Sequence, residues 1–226
     1  MKTIDKLLLA VVGVMMPVAL YFAFIYAPRE AIMGEVQRIF YFHLASAWTG
    51  LLSFFFVFLG GAFYLWSKKP VYDYFAHSAV ELGILFMTIV LVTGPIWAKP
   101  VWGAWWTWDP RLTSTFVLWL IFIAYLMLRS SLKEHPAVRT YAAVYGIIGF
   151  IDVPIVWMSI HWWRTIHPKV ISAQKIALDP RMWTAVLVSF ATMLILYTVL
   201  IRIRMNLLEM EEQVSISRES LMEKRV

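Results

Sequence analysis

Six nearly uncharged apolar runs decide what this chain can become: Leu7–Pro28, Ile39–Ser67, Leu82–Ala98, Leu112–Leu128, Thr140–Trp163 and Met182–Ile201. Each reaches the roughly 17–25 residues that a helix needs to cross a bilayer. Inside hydrocarbon every backbone N–H and C=O must be paired within the protein, and for single segments of this length the helix is the solution. The runs take up most of the 226 residues and leave no room for a soluble domain. Composition agrees: 61% of residues are hydrophobic and 15% charged, against roughly 45–50% and 25% in soluble proteins. A soluble enzyme, a disordered linker and a nucleic-acid binder are therefore excluded. The first run is too long for a signal-peptide core and reads as a retained helix, with Pro17 tolerable in a membrane setting. The expected fold is an all-α integral membrane protein of six transmembrane helices, one domain over residues 1–226. A tryptophan-rich loop at about 97–114 joins the third and fourth helices, and a tail at about 202–226 extends the last.

Six spans put both termini on one side. That side, with the second and fourth loops, carries 12 Lys and Arg, and the other carries 8. The positive-inside rule then places both termini in the cytoplasm and the odd loops outside. The net charge of +6 suits loops that face anionic lipid head groups. Basic residues that remain in the odd loops are available to an anionic ligand.

The chemistry has few places to reside. There is no cysteine, which removes thiolate zinc sites, iron–sulfur clusters and the C-x-x-C-H attachment of haem. No P-loop motif is present, so any ATP must be hydrolysed by another subunit. Five of the 12 tryptophans fall together, at Trp97, Trp102, Trp105, Trp106 and Trp108. An interfacial belt accounts for one or two per helix end, not five in 12 residues. The spacing of Trp102, Trp105 and Trp106 predicts a short helix along the membrane surface, with its indoles on one face. Such a platform of rigid apolar rings suits a large planar ligand. Of the five histidines, His77 and His135 fall in the second and fourth loops, while His43, His161 and His167 share the outer side with the tryptophans. Two neutral imidazoles can fill both axial positions of a haem iron. Spacing leaves open which two of the three do so, although His161 and His167 would not face the same way on a continuous helix.

The string W-G-A-W-W-T-W-D from Trp102 to Asp109, continuing as P-R-L-T-S, resembles the WWD signature of the haem-handling proteins of cytochrome c maturation. Six spans and this length are most similar to the CcmC family. Two further stretches carry the likeness, Q-R-I-F-Y-F-H ending at His43 and H-W-W-R-T-I-H ending at His167. The chain departs from the family's usual pattern in Leu44–Ala45–Ser46 and in Pro110. The resemblance implies haem b held without a covalent bond by His43 and His167, which favours His167 over His161. Trp97, Trp102, Gly103, Trp106, Trp108 and Asp109 would surround it. It also implies a delivery protein rather than an enzyme, in a bacterial inner membrane. Its partners would be the haem chaperone CcmE, the CcmA–CcmB ATPase complex and the small CcmD. Arg38, Arg111, Arg164 and Lys169 are the outer-side candidates for the haem propionates, by charge pairing.

Asp152, midway along the fifth run and two residues before Pro154, is the other outlier, because an ionisable group at that depth is costly. It reads best as a protonated or hydrogen-bonded structural residue that satisfies backbone groups freed by Pro154. A transporter with Asp152 at a midplane site would leave the tryptophans unexplained. A b-type electron-transfer subunit would bury its histidine pairs deeper in the bundle than His43 and His167 lie.

Overall fold

The computed structural model describes residues 3–167 and 178–223, and these are almost entirely helical. Helix α1 (Thr3–Tyr21) ends in one π-helical turn, Phe22–Tyr26. After a short 3-10 turn come α2 (Arg38–Ser67), α3 (Pro70–Trp102) and α4 (Pro110–Ser131). Helices α5 (Val138–Gly149) and α6 (Asp152–Trp162) make up the fifth crossing, and α7 (Pro180–Glu223) the sixth. Six helical segments are long and apolar enough to cross a membrane, in register with the six apolar runs. The chain is a multi-pass membrane protein.

Two boundaries differ from the sequence expectation, each for a local reason. Helix α3 starts at Pro70, three turns before the apolar run at Leu82, and so takes in His77, which was expected in a loop. Its polar first turns are stable because they find charged partners. Asp73 is almost fully buried and receives two 2.6 Å hydrogen bonds from the Arg129 guanidinium, with Arg139 Nε at 3.2 Å. Glu81 receives Arg204 Nε and Nη2 at 2.5 and 2.9 Å. Helix α7 continues well past Ile201, as the expected extension of the last helix, and Glu212 on that extension is held by Arg139 and by the Tyr74 hydroxyl (2.6 Å). The second difference is in the fifth crossing, which is broken at Phe150–Ile151. Pro154 has no N–H to return to the carbonyl of Phe150, and that carbonyl accepts from Val153 N instead (3.0 Å).

The core lies among α2, α3, α4, α5 and α7, with Val156 of α6 joining it. Phe54 of α2 stacks on Phe122 of α4 with centroids 3.8 Å apart and planes 4° from parallel. Gly83 makes this possible, since a Cβ there would meet the Phe54 ring at 2.4 Å. A second apolar cluster, which includes Phe40, Tyr41, Trp97, Met182 and Val186, sits at the end of the bundle that carries the odd loops. That end is where the tryptophans gather.

Candidate functional site

The tryptophan segment owes its shape to a stop and a start. Gly103 ends α3 in the left-handed region (φ 75°), its N–H closing back on the carbonyl of Lys99 at 3.0 Å. Asp109 is extended, as a residue before proline tends to be, and Pro110 opens α4. The residues between are too few and too constrained to make the expected surface helix, so Trp102, Trp105 and Trp106 do not share a helical face. Trp97 and Trp102 belong to α3 itself. The loop proper is 103–109, shorter than the 97–114 read from the sequence.

These elements enclose a cavity of about 430 Å³. Its walls come from α2 (His43, Ala47, Trp48), α3 (Met87 to Trp102), the loop (Trp106), α4 (Arg111, Thr115) and α6 (Val156, Trp157). Met87 and Trp102 both line it, so it runs about 22 Å along α3. The lining is apolar except for a few convergent groups, the usual character of a small-molecule site. All three outer-side histidines, His43, His161 and His167, border it.

They are mounted differently. His43 lies within α2 and is buried. Its Nδ1 sits 2.9 Å from the hydroxyl of Thr93, and its ring is 6.1 Å from that of Trp97. His161 occupies the last turn of α6 and is exposed. His167 lies beyond α6, edge-on to Trp102 at 6.3 Å. Its segment is tied down by the Asp109 carboxylate, which accepts from the Thr165 hydroxyl (2.8 Å) and from Ile166 N (3.0 Å). The Thr165 hydroxyl in turn accepts from His167 N at 3.0 Å. Asp109 also caps α4, accepting from Arg111 N at 2.9 Å. One carboxylate thus joins the tryptophan loop to the histidine segment.

The aromatic walls form a chain of contacts. Trp97 meets Phe40 at 5.8 Å and Trp102 at 6.2 Å, and Trp106 meets Trp108 and Phe116. Trp97 is 3% exposed, and its indole N–H has no hydrogen-bond partner among the described residues. Trp105 and Trp108 are exposed, Trp108 at 75%.

The basic candidates are scattered. Arg111 lines the cavity, and its guanidinium donates to the carbonyls of Val156 and Trp157, which clamps α4 to α6. Arg38 is turned to the end of α1, where its Nη1 donates to the carbonyls of Ala23 (2.7 Å) and Ala27 (3.4 Å) while Nε bonds Glu35. It caps a helix C-terminus, a favourable place for a cation. Arg164 is exposed between α6 and His167. Lys169 lies outside the described residues. Asp152 opens α6 rather than sitting inside a continuous helix, and its Oδ2 is buried without a partner among the described residues. It is not part of the cavity lining. Sequence reasoning missed Thr93 and Thr165. Each touches a histidine, but a threonine in an apolar run or a loop carries no signal of its own.

Comparison with known proteins gives a consistent result. The family model described as heme exporter protein C matches residues 1–218. A "putative cytochrome c biosynthesis ccmC-like mitochondrial protein" of Marchantia polymorpha is 36% identical over 155 residues, covering 68% of this chain and 65% of that relative. The Arabidopsis thaliana protein of the same description is 32% identical over 84% of this chain and 72% of its own length. Heme exporter protein C of Escherichia coli strain K12 is 31% identical over 85% and 78%.

Proposed function

The chain belongs to the heme exporter protein C family, and from that premise we propose that it holds haem b at the odd-loop end and delivers it for cytochrome c biogenesis. The observation that carries this reading is that His43 and His167 border one cavity whose walls include Trp97, Trp102 and Trp106. The residues fit such a cargo. The cavity is of ligand size, indoles cover apolar faces well, and imidazoles reach it from two separate parts of the chain. The Trp97 N–H, without a partner among the described residues, is a buried donor that a propionate would satisfy.

In this reading His43 and His167 would hold the haem iron through their imidazole nitrogens. The tryptophans exclude water and orient the macrocycle, and Arg111 places positive charge at the cavity wall. The odd-loop end faces the periplasm of a bacterial inner membrane and both termini face the cytoplasm. The recipient is the chaperone CcmE, with CcmA–CcmB and CcmD as the other partners. The fold contributes binding and presentation, and covalent attachment is left to the recipient.

An absorption spectrum of the detergent-purified protein, oxidised and reduced, is the direct test. A six-coordinate low-spin haem is expected, and absence of haem after coexpression with the chaperone would overturn the reading. His43→Gly and His167→Gly should each weaken low-spin character, and added imidazole should restore it, more fully in the single variants than in the double. His161→Gly should change little. Loss of haem in His161→Gly with a normal spectrum in His167→Gly would reverse the assignment of the second ligand.

A further inference from the structure

We infer that Thr93 is a positioning residue that fixes the tautomer of His43, so that the imidazole offers its Nε2 lone pair to the cavity. The inference rests on the haem reading for its purpose but on local geometry for its content. A hydroxyl has one proton to donate, and the Thr93 proton has an acceptor within its own helix: Thr93 Oγ1 lies 2.7 Å from the carbonyl oxygen of Ile89, the usual back-bond of a helical threonine. The contact of 2.9 Å between Thr93 Oγ1 and His43 Nδ1 must then run the other way, with the ring N–H donating and the hydroxyl oxygen accepting. A neutral imidazole carries one N–H, so a proton on Nδ1 leaves Nε2 bare. That nitrogen has no hydrogen-bond partner among the described residues, in a side chain that lines the cavity.

The surroundings support this arrangement. Gly94, the next residue, lines the same wall, and a Cβ there would stand 3.5 Å from His43 Cε1. The ring is thus held against α3 by the hydrogen bond at Nδ1, and glycine at 94 leaves room beside Cε1. A histidine that ligates a metal is oriented in this way when its other nitrogen donates to a fixed acceptor, and loss of that acceptor typically costs about 10- to 100-fold in metal affinity. In a site that must keep one nitrogen available before any cargo arrives, the acceptor has to belong to the empty protein. Thr93 meets that requirement.

The test separates the tautomer from the cargo. Nitrogen NMR of detergent-solubilised, haem-free protein labelled at histidine, assigned against His43→Gly, should show His43 protonated at Nδ1. Thr93→Ser should keep that signal. Thr93→Val, close in shape but without the acceptor, should move the proton to Nε2 or mix the two forms, and Thr93→Ala should do the same if the valine variant does not fold. With added haem, Thr93→Val should bind about 10- to 100-fold more weakly, and serine should restore binding. An unchanged His43 signal in both the valine and alanine variants would overturn the inference. The expected tautomers with no six-coordinate spectrum on haem addition to the unaltered protein would overturn the haem reading and leave the role of Thr93 standing.

Discussion

Asp109 shows how much one side chain can hold in place. It caps α4, and the same carboxylate anchors Thr165 and Ile166, more than fifty residues away in sequence. The cap alone is worth roughly 0.5–2 kcal/mol, too little to decide whether six spans fold. We expect Asp109→Ala to insert into the membrane normally and to lower the thermal midpoint only slightly, while His167 loses its fixed position and low-spin haem character falls. Asp109→Asn, which retains one acceptor oxygen but cannot accept from Ile166 N, should lie between. A spectrum unchanged in the alanine variant would mean that His167 is held by other contacts. Trp97 offers a complementary test. Its buried N–H has no partner among the described residues, and an unpaired group of this kind costs about 1–3 kcal/mol. Trp97→Phe keeps an aromatic ring and removes that donor, so the haem-free thermal midpoint should hold or rise while haem retention weakens. A fall in both would point to lost packing instead.

Among the helices, close approach is the recurring device. Gly83 admits the Phe54 ring at a distance no side chain would allow, and Phe54 in turn stacks on Phe122. Gly83→Ala should push Phe54 off that stack at a cost of about 1–3 kcal/mol, the usual penalty for overpacking a filled core, seen as a lower thermal midpoint in detergent. An unmoved midpoint would show that the ring yields freely. Little of this pairing is visible in the sequence, although the helices that carry it are. Apolar length marks all six crossings, because a span must be apolar wherever it meets lipid. It misplaces the start of α3 because Asp73 and His77 look like loop residues until Arg129 and Arg139 from other helices are seen paired with Asp73. The break before Asp152 is signalled by Pro154, but a proline in a membrane helix marks a possible kink and not the place where the ladder gives way. For the site, tryptophan density and the histidines on one side were readable. The extended course of the loop was also foreshadowed, by Gly103 and by Asp109–Pro110, yet helical spacing of three tryptophans argued against it. Thr93 and Thr165 act through partners that only folding brings near.

The whole molecule is built differently at its two ends. The end with the chain termini is closed by ion pairs: Asp73 with Arg129 and Arg139, Glu81 with Arg204, Asp5 with Arg202 and Glu212 with Arg139. Asp73 is the centre of that group, and removing one member of a buried pair typically costs about 3–5 kcal/mol. Asp73→Asn should therefore lower the thermal midpoint more than any substitution at the cavity, while haem that is still bound keeps its spectrum. Equal losses in Asp73→Asn and Trp106→Ala would show that the two ends melt as one. The opposite end carries the second apolar cluster with a cavity beside it, a loop at 103–109 outside the helices, and α6 as a short helix cut off from α5. We expect such a distribution to leave that pole more compliant than the other. Local opening draws on regions with few buried contacts, so amide exchange should run fastest in the loop and α6 and slowest in the middle of α3. A bulky planar guest could then enter and leave by flexing one pole, with the other serving as the fixed mount against which it bends.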